Sequence, residues 1–194
     1  MKAVPTTRKR ALTIENLNTV TLFYSASSDH DDILFTCMLL IGFFALMRLG
    51  ELVYSDDKTT QNPNKITKRT SVQIQNNFFQ FFLPSHKADC FFEGNNIVLP
   101  KISPTGINLF HYFAKYLNSR DNVFPYSSPL WLRRDGSIPT RSFMIRRLRL
   151  FFNNDVGGQS LRAGGATALA EAGTPPFLIQ ATGRWSSDAF QIYV

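Results

Sequence analysis

The sequence predicts a mainly helical α+β domain with one small antiparallel sheet, and three observations lead there. Apolar residues recur at helical spacing in TIENLNTVTLFYS and again in SPTGINLFHYFAKYLNS. Between them the period drops to two in SVQIQ and FFQFFLP, with Asn76-Asn77 as a turn. The 194 residues are 44% hydrophobic, enough for one buried core and too apolar for wholesale disorder.

Each element has a local reason. Met1 to Arg10 is basic and reads as a solvated tail, with the folded domain spanning 11–194. Thr13 can cap the first helix, where Ile14, Leu17 and Val20 share a face. Ser27, Ser28, Asp31 and Asp32 suit the N-terminus of a second helix running to about Met47. A short helix, RLGELVYS, follows after a bend near Gly50. Asp56 to Lys68 is a polar loop. SVQIQ, FFQFFLP and NIVLP are the three strands. Ser103 and Pro104 are placed to open the next helix. Pro125, Pro129 and Pro139 mark a loop that leads to a basic amphipathic helix, RSFMIRRLRLFFNN. QSLRAGGATALAEAG, PPFLIQATG and SSDAFQIYV read as three short helices, split at Gly173, Pro175 and Gly183.

Composition narrows the function classes. Lys plus Arg number 21 against 14 Asp plus Glu, a net charge of +7, which points to a polyanionic partner. Cys37 and Cys90 are too few for a disulfide framework or a closed zinc site, and fit a reducing intracellular setting. The apolar run Ile33 to Met47 is shorter than the roughly 18 residues of a spanning helix, so a buried helix is the better reading. No membrane partner is expected. The sequence offers neither a carboxylate cluster nor a glycine-rich phosphate loop.

A few residues stand out. Arg48 ends the long apolar helix with Glu51 three residues on. Alone, it reads as a snorkelling arginine with a helical partner; functionally, it is an arginine braced by Glu51 to hold an anion. Lys87 sits in SHKAD after an aromatic strand. Arg162 lies on a helix whose Gly164, Gly165, Ala166 and Ala168 allow close packing, where a charge is unusual. Trp185 and Tyr193 close the chain. By itself, Tyr193 is a terminal aromatic that packs on a core.

Their order carries a resemblance. LIGFFALMRLGEL, HKAD, QSLRAGGATALAEAG and GRWSSDAFQIY follow one another as in the catalytic domain of tyrosine recombinases, the phage-integrase superfamily. The chain looks closest to forms carried by eukaryotic mobile elements, such as fungal Crypton-like elements. The resemblance spans roughly residues 10 to 194.

It implies DNA breaking and rejoining through a covalent 3′-phosphotyrosine, without a metal, a cofactor or a small-molecule substrate. Arg48 and Arg162 match the two arginines that grip the scissile phosphate, and Lys87 matches the hairpin lysine that protonates the leaving 5′ oxygen. Trp185 matches the His/Trp position that supports the phosphate, and Tyr193 the nucleophile. Gln159 stands where the family has His or Lys, and an amide cannot take a proton from the attacking tyrosine. The alternative is therefore a catalytically impaired, DNA-binding remnant of a mobile-element recombinase. The expected partner is double-stranded DNA in the nucleus, with homo-oligomers assembled on it. Arg133, Arg134, Arg141, Arg146, Arg147 and Arg149 would face its phosphates. The separate N-terminal clamp domain of such enzymes is not expected within this length, and a continuation past Val194 is.

Overall fold

The computed structural model describes residues 9–85, 93–185 and 190–191. Its axis is the apolar run, which forms helix α2 (His30–Phe44) and is buried around almost its whole circumference. A helix apolar on every side belongs in a core. The Asp29 carboxylate caps it, accepting the N–H groups of Asp31 at 2.9 Å and Asp32 at 3.1 Å. Helix α1 (Ile14–Phe23) lies against it and opens with a reciprocal cap between Thr13 and Asn16. Helix α2 stops at Phe44, before the expected Met47, because Leu46 takes φ +50° and reverses the chain. The bend falls there, and Gly50 lies inside the next helix, α3 (Leu49–Leu52).

Two short 3-10 turns, Lys58–Thr60 and Pro63–Lys65, occupy the polar segment, and a third, Arg69–Ser71, follows it. Strands β1 (Gln73–Ile74), β2 (Phe78–Leu83) and β3 (Asn95–Pro100) then form an antiparallel sheet in that order. Alternation sends Phe79, Phe81, Leu83, Ile97 and Leu99 inward and leaves Phe78, Phe82 and Val98 outside. The register pairs Phe79 with Leu99 and Phe81 with Ile97. Phe79 stacks on Phe113 of helix α4 (Leu109–Val123), with ring centroids 4.5 Å apart.

Helix α4 starts at Leu109 with Asn108 as its cap, later than Ser103 and Pro104 suggest. Ser103 closes a tight turn instead: its carbonyl accepts Gly106 N–H at 2.9 Å and its hydroxyl accepts Ile107 N–H at 2.9 Å. Gly106, at φ +86°, supplies the left-handed residue that this turn needs. Helices α5 (Arg141–Leu148), α6 (Gly158–Glu171) and α7 (Pro176–Gly183) complete the fold. Of the expected last helix only Phe190 and Gln191 are described. Phe190 is buried beside Leu46 and Ile179.

Two ionic details depart from a simple polar surface. Lys9 and Arg10, expected in a solvated tail, are tied to the α5–α6 loop. Lys9 Nζ donates to the Asn154 carbonyl, and Arg10 pairs with Asp155 at 2.6 Å. Arg120, 0% exposed, donates to the Asp121 carboxylate and to the carbonyls of Phe124, Ser127 and Pro129. It thereby pins the loop that follows α4.

Helix α6 crosses at very short range. A β-carbon on Gly164 would land on the Leu12 carbonyl, and one on Gly165 on the Phe43 carbonyl. Gly165→Ala should therefore destabilise by about 1–3 kcal/mol or more. Gly50→Ala, with open space around it, should be neutral or stabilising by up to about 1 kcal/mol. Urea unfolding of the two variants checks the contrast.

Asp121 offers a pH test. Burial pushes its carboxyl up, but hydrogen bonds and charge from Arg69 and Arg120 outweigh that and hold it below the usual range. A depressed carboxylate adds stability above its unfolded pKa, and loses it as pH falls through the folded value. Asp121→Asn should cost about 0.5–1.5 kcal/mol at pH 7, because solvent screens a carboxylate that is 36% exposed. That gap should close below roughly pH 4, measured by thermal melts across pH.

Candidate active site

The reversal at Leu46 starts the site. Leu46 is buried among Ala166, Leu169, Ile179 and Phe190, and this packing holds the left-handed backbone that a leucine otherwise avoids. Its carbonyl is thereby turned towards α6, where it accepts Arg162 Nη1 at 3.2 Å. Arg162 Nη2 donates to the Gly183 carbonyl at the end of α7. The Trp185 ring lies 4.0 Å from the Arg162 guanidinium carbon, a cation–π contact. Arg162 is thus 7% exposed, a buried and engaged cation, with its guanidinium turned inward.

Arg48 is the residue before α3. Glu51, one turn later, reaches back: Oε2 accepts Arg48 N–H at 3.0 Å and Oε1 accepts Arg48 Nη1 at 3.1 Å. This is the backward half of a capping box. The pairing anticipated at i, i+3 is therefore present, and its carboxylate is only 5% exposed.

A third arginine joins them that sequence reasoning did not single out. Arg184 follows Gly183 with φ +55° and turns back over the end of α2. Its Nη2 donates to Glu51 Oε2 at 2.8 Å, and its Nη1 to the Thr182 carbonyl at 2.9 Å and the Ala45 carbonyl at 3.4 Å. Burial pushes its pKa down and the Glu51 charge opposes that, so the guanidinium stays cationic. The only signal in the sequence was its place between Gly183 and Trp185 in a block already read as functional. Gly183 itself is required there, because a β-carbon would run into the Trp185 ring.

The fold therefore joins Arg48, Glu51, Arg162 and Trp185 at one end of α2, with Arg184 among them. Arg48 and Arg184 share the Glu51 carboxylate and Arg162 is held nearby on carbonyls, so positive charge is in excess. Lys87 and Tyr193 lie outside the described residues, as does His86. Gln159 is exposed on the first turn of α6. His30 bridges Ser119 Oγ and the Leu132 carbonyl, each at 2.8 Å, and takes no part in the cluster.

The six arginines expected on one DNA-facing surface divide into two sets. Arg133, Arg134 and Arg147 pair with Asp31, Asp29 and Asp32 at the start of α2. Arg147 also packs over Tyr24, Phe35 and Phe143, so it holds α5 to the core and faces inward. Arg141, Arg146 and Arg149 are exposed and form no salt bridge among the described residues. With Lys9 they line a cavity of about 280 Å³ beside Gly157, at the entry to α6.

No group of His, Cys, Asp and Glu among the described residues could hold a metal ion. No described helix is long and apolar enough to cross a membrane.

No protein-family model and no curated protein matches the sequence. Solved structures do match in shape. The XerH site-specific recombinase bound to difH substrate, in a pre-cleavage complex, aligns with a TM-score of 0.69 at 17% identity, over 100% of this chain and 52% of that one. The XerA recombinase aligns at 0.68 and 16%, over 99% of this chain and 61% of that one. A lambda integrase (75-356) dimer bound to a COC′ core site aligns at 0.63 and 12%, over 100% and 62%. The fold is that of the tyrosine recombinase catalytic core. The chain spans just over half to about three fifths of these recombinases.

Proposed function

We propose that this chain is the catalytic part of a site-specific DNA recombinase that cuts and rejoins strands through a phosphotyrosine bond. The observation that carries the reading is the convergence of Arg48 and Arg162 at one end of α2, inside a recombinase-type fold. Guanidinium donors on a phosphate strengthen as charge builds on its non-bridging oxygens in the transition state. The Tyr193 hydroxyl oxygen would attack phosphorus, forming the P–O bond to tyrosine and breaking the bond to the 5′ oxygen. Lys87 would give its proton to that leaving oxygen, and the tyrosine proton would pass to solvent. The broken bond's energy stays in the phosphotyrosine, so rejoining needs no nucleotide. Double-stranded DNA is the substrate in this reading, and a mobile element of the Crypton kind its source.

A second reading, a DNA-binding remnant with impaired turnover, is favoured by one observation. Gln159, three residues before Arg162, is an exposed amide with no acid–base capacity.

A suicide DNA substrate, nicked beside the cleavage point, separates the two. The first reading expects a covalent protein–DNA adduct on a denaturing gel, lost in Tyr193→Phe. An adduct that persists in Tyr193→Phe would remove that residue as nucleophile. If no adduct forms but Gln159→His restores one, the remnant reading holds.

The divided arginines give a further test. Arg146→Ala and Arg149→Ala should each weaken duplex binding and make its salt slope shallower by about one, with stability changed by less than about 0.5 kcal/mol. Arg147→Ala should instead cost about 1–3 kcal/mol of stability and leave the salt slope unchanged. Binding titrations across salt, run beside thermal melts, measure both.

A further inference from the structure

Glu51 sits badly for an anion site. It is a buried carboxylate against Arg48, the arginine that the recombinase reading puts on a phosphate. If Glu51 had Arg48 as its sole partner, the two would form a neutral pair. A phosphate drawn by the cation would be repelled by the carboxylate at nearly the same range.

Arg184 changes that balance. Its guanidinium is nearer to Glu51 than that of Arg48, 2.8 Å against 3.1 Å. It is also more deeply placed, with its side chain 9% exposed against 31% for Arg48. The backbone commits it to this task. Arg184 takes a left-handed conformation, unfavourable for any residue but glycine, and so turns back towards α3. The Thr182 and Ala45 carbonyls then hold its Nη1, and its Nε is buried with no partner. Both of its Nη groups are thus committed, Nη1 to two carbonyls and Nη2 to Glu51. Arg48 keeps further N–H donors without a hydrogen-bond partner among the described residues, and is a third open to solvent.

We propose that Arg184 is a positioning residue that neutralises Glu51, so that Glu51 can brace Arg48 without cancelling its charge. The proposal rests on the recombinase reading for the identity of the anion, but not for its own test.

The test uses the full chain and inorganic phosphate as probe, followed by tryptophan fluorescence, with Trp185→Phe marking the signal that comes from the site. Arg184→Gln should weaken phosphate binding roughly tenfold, because it leaves Glu51 against Arg48 alone. Glu51→Gln with Arg184→Gln should recover to within about threefold of the parent, because the uncancelled carboxylate is gone. Arg184→Lys, which keeps the charge, should also stay within about threefold. Adduct formation on the suicide substrate should follow the same order, with noncovalent DNA affinity nearly constant. Melting curves report folding for each variant. If Arg184→Gln does not fold, the double variant and Arg184→Lys decide. A double variant as weak as or weaker than Arg184→Gln, or more than tenfold below the parent, overturns the proposal. So does an Arg184→Gln that binds phosphate like the parent. The phosphate pattern without any adduct would sink the recombinase reading and leave this one standing. An adduct with no such pattern would do the reverse.

Discussion

The Leu12 and Phe43 carbonyl oxygens occupy the space where Gly164 and Gly165 would carry side chains, and the rest of the site follows from that approach. Helix α6 can lie on the N-terminal segment and on α2 only because two successive residues lack a β-carbon. Close packing at this crossing fixes the distance between Arg162 and the reversal at Leu46. It also lets one guanidinium span two carbonyls from separate elements, at Leu46 and Gly183. Dispersion between atoms so near, multiplied along the crossing, resists any slide of α6 along α2.

Charge is organised on the same frame. One buried carboxylate, Glu51, ties α3 to the end of α7, and so joins segments more than a hundred residues apart. Arg120 does similar work near the C-terminal end of α4, where three carbonyls and Asp121 surround it. In both places a buried cation is tolerated because its terminal Nη donors meet oxygens, although each Nε is buried without a partner. Such residues convert loops into fixed struts without enlarging the apolar core.

Local chemistry was readable in the sequence and long-range chemistry was not. The Thr13 cap, the sheet and the glycine-lined face of α6 depend on neighbours in the chain or on side-chain size. Period and residue type are enough to expose them. Leu46 could not be read, since its left-handed backbone is imposed by packing from α6 and α7. Ser103 looked like a helix cap because the same hydroxyl closes a turn equally well, and only Gly106 distinguishes the two. Arg147 looked like an exposed cation because its partner, Asp32, lies on a distant helix. Arg162 and Trp185, singled out in order, lie against one another and Arg48 takes Glu51 as its partner, whereas Arg184 was passed over because its meaning lies in Glu51.

The acidic start of α2 has an electrical consequence for the whole molecule. Asp29, Asp31 and Asp32 neutralise Arg134, Arg133 and Arg147 at one place. The cations around Lys9, Arg141, Arg146 and Arg149 are opposed there mainly by Asp56. Among the described residues, positive charge is therefore cancelled at the start of α2 and left over at the entry to α6. In the field of a long polyanion such a body feels a torque before any contact forms.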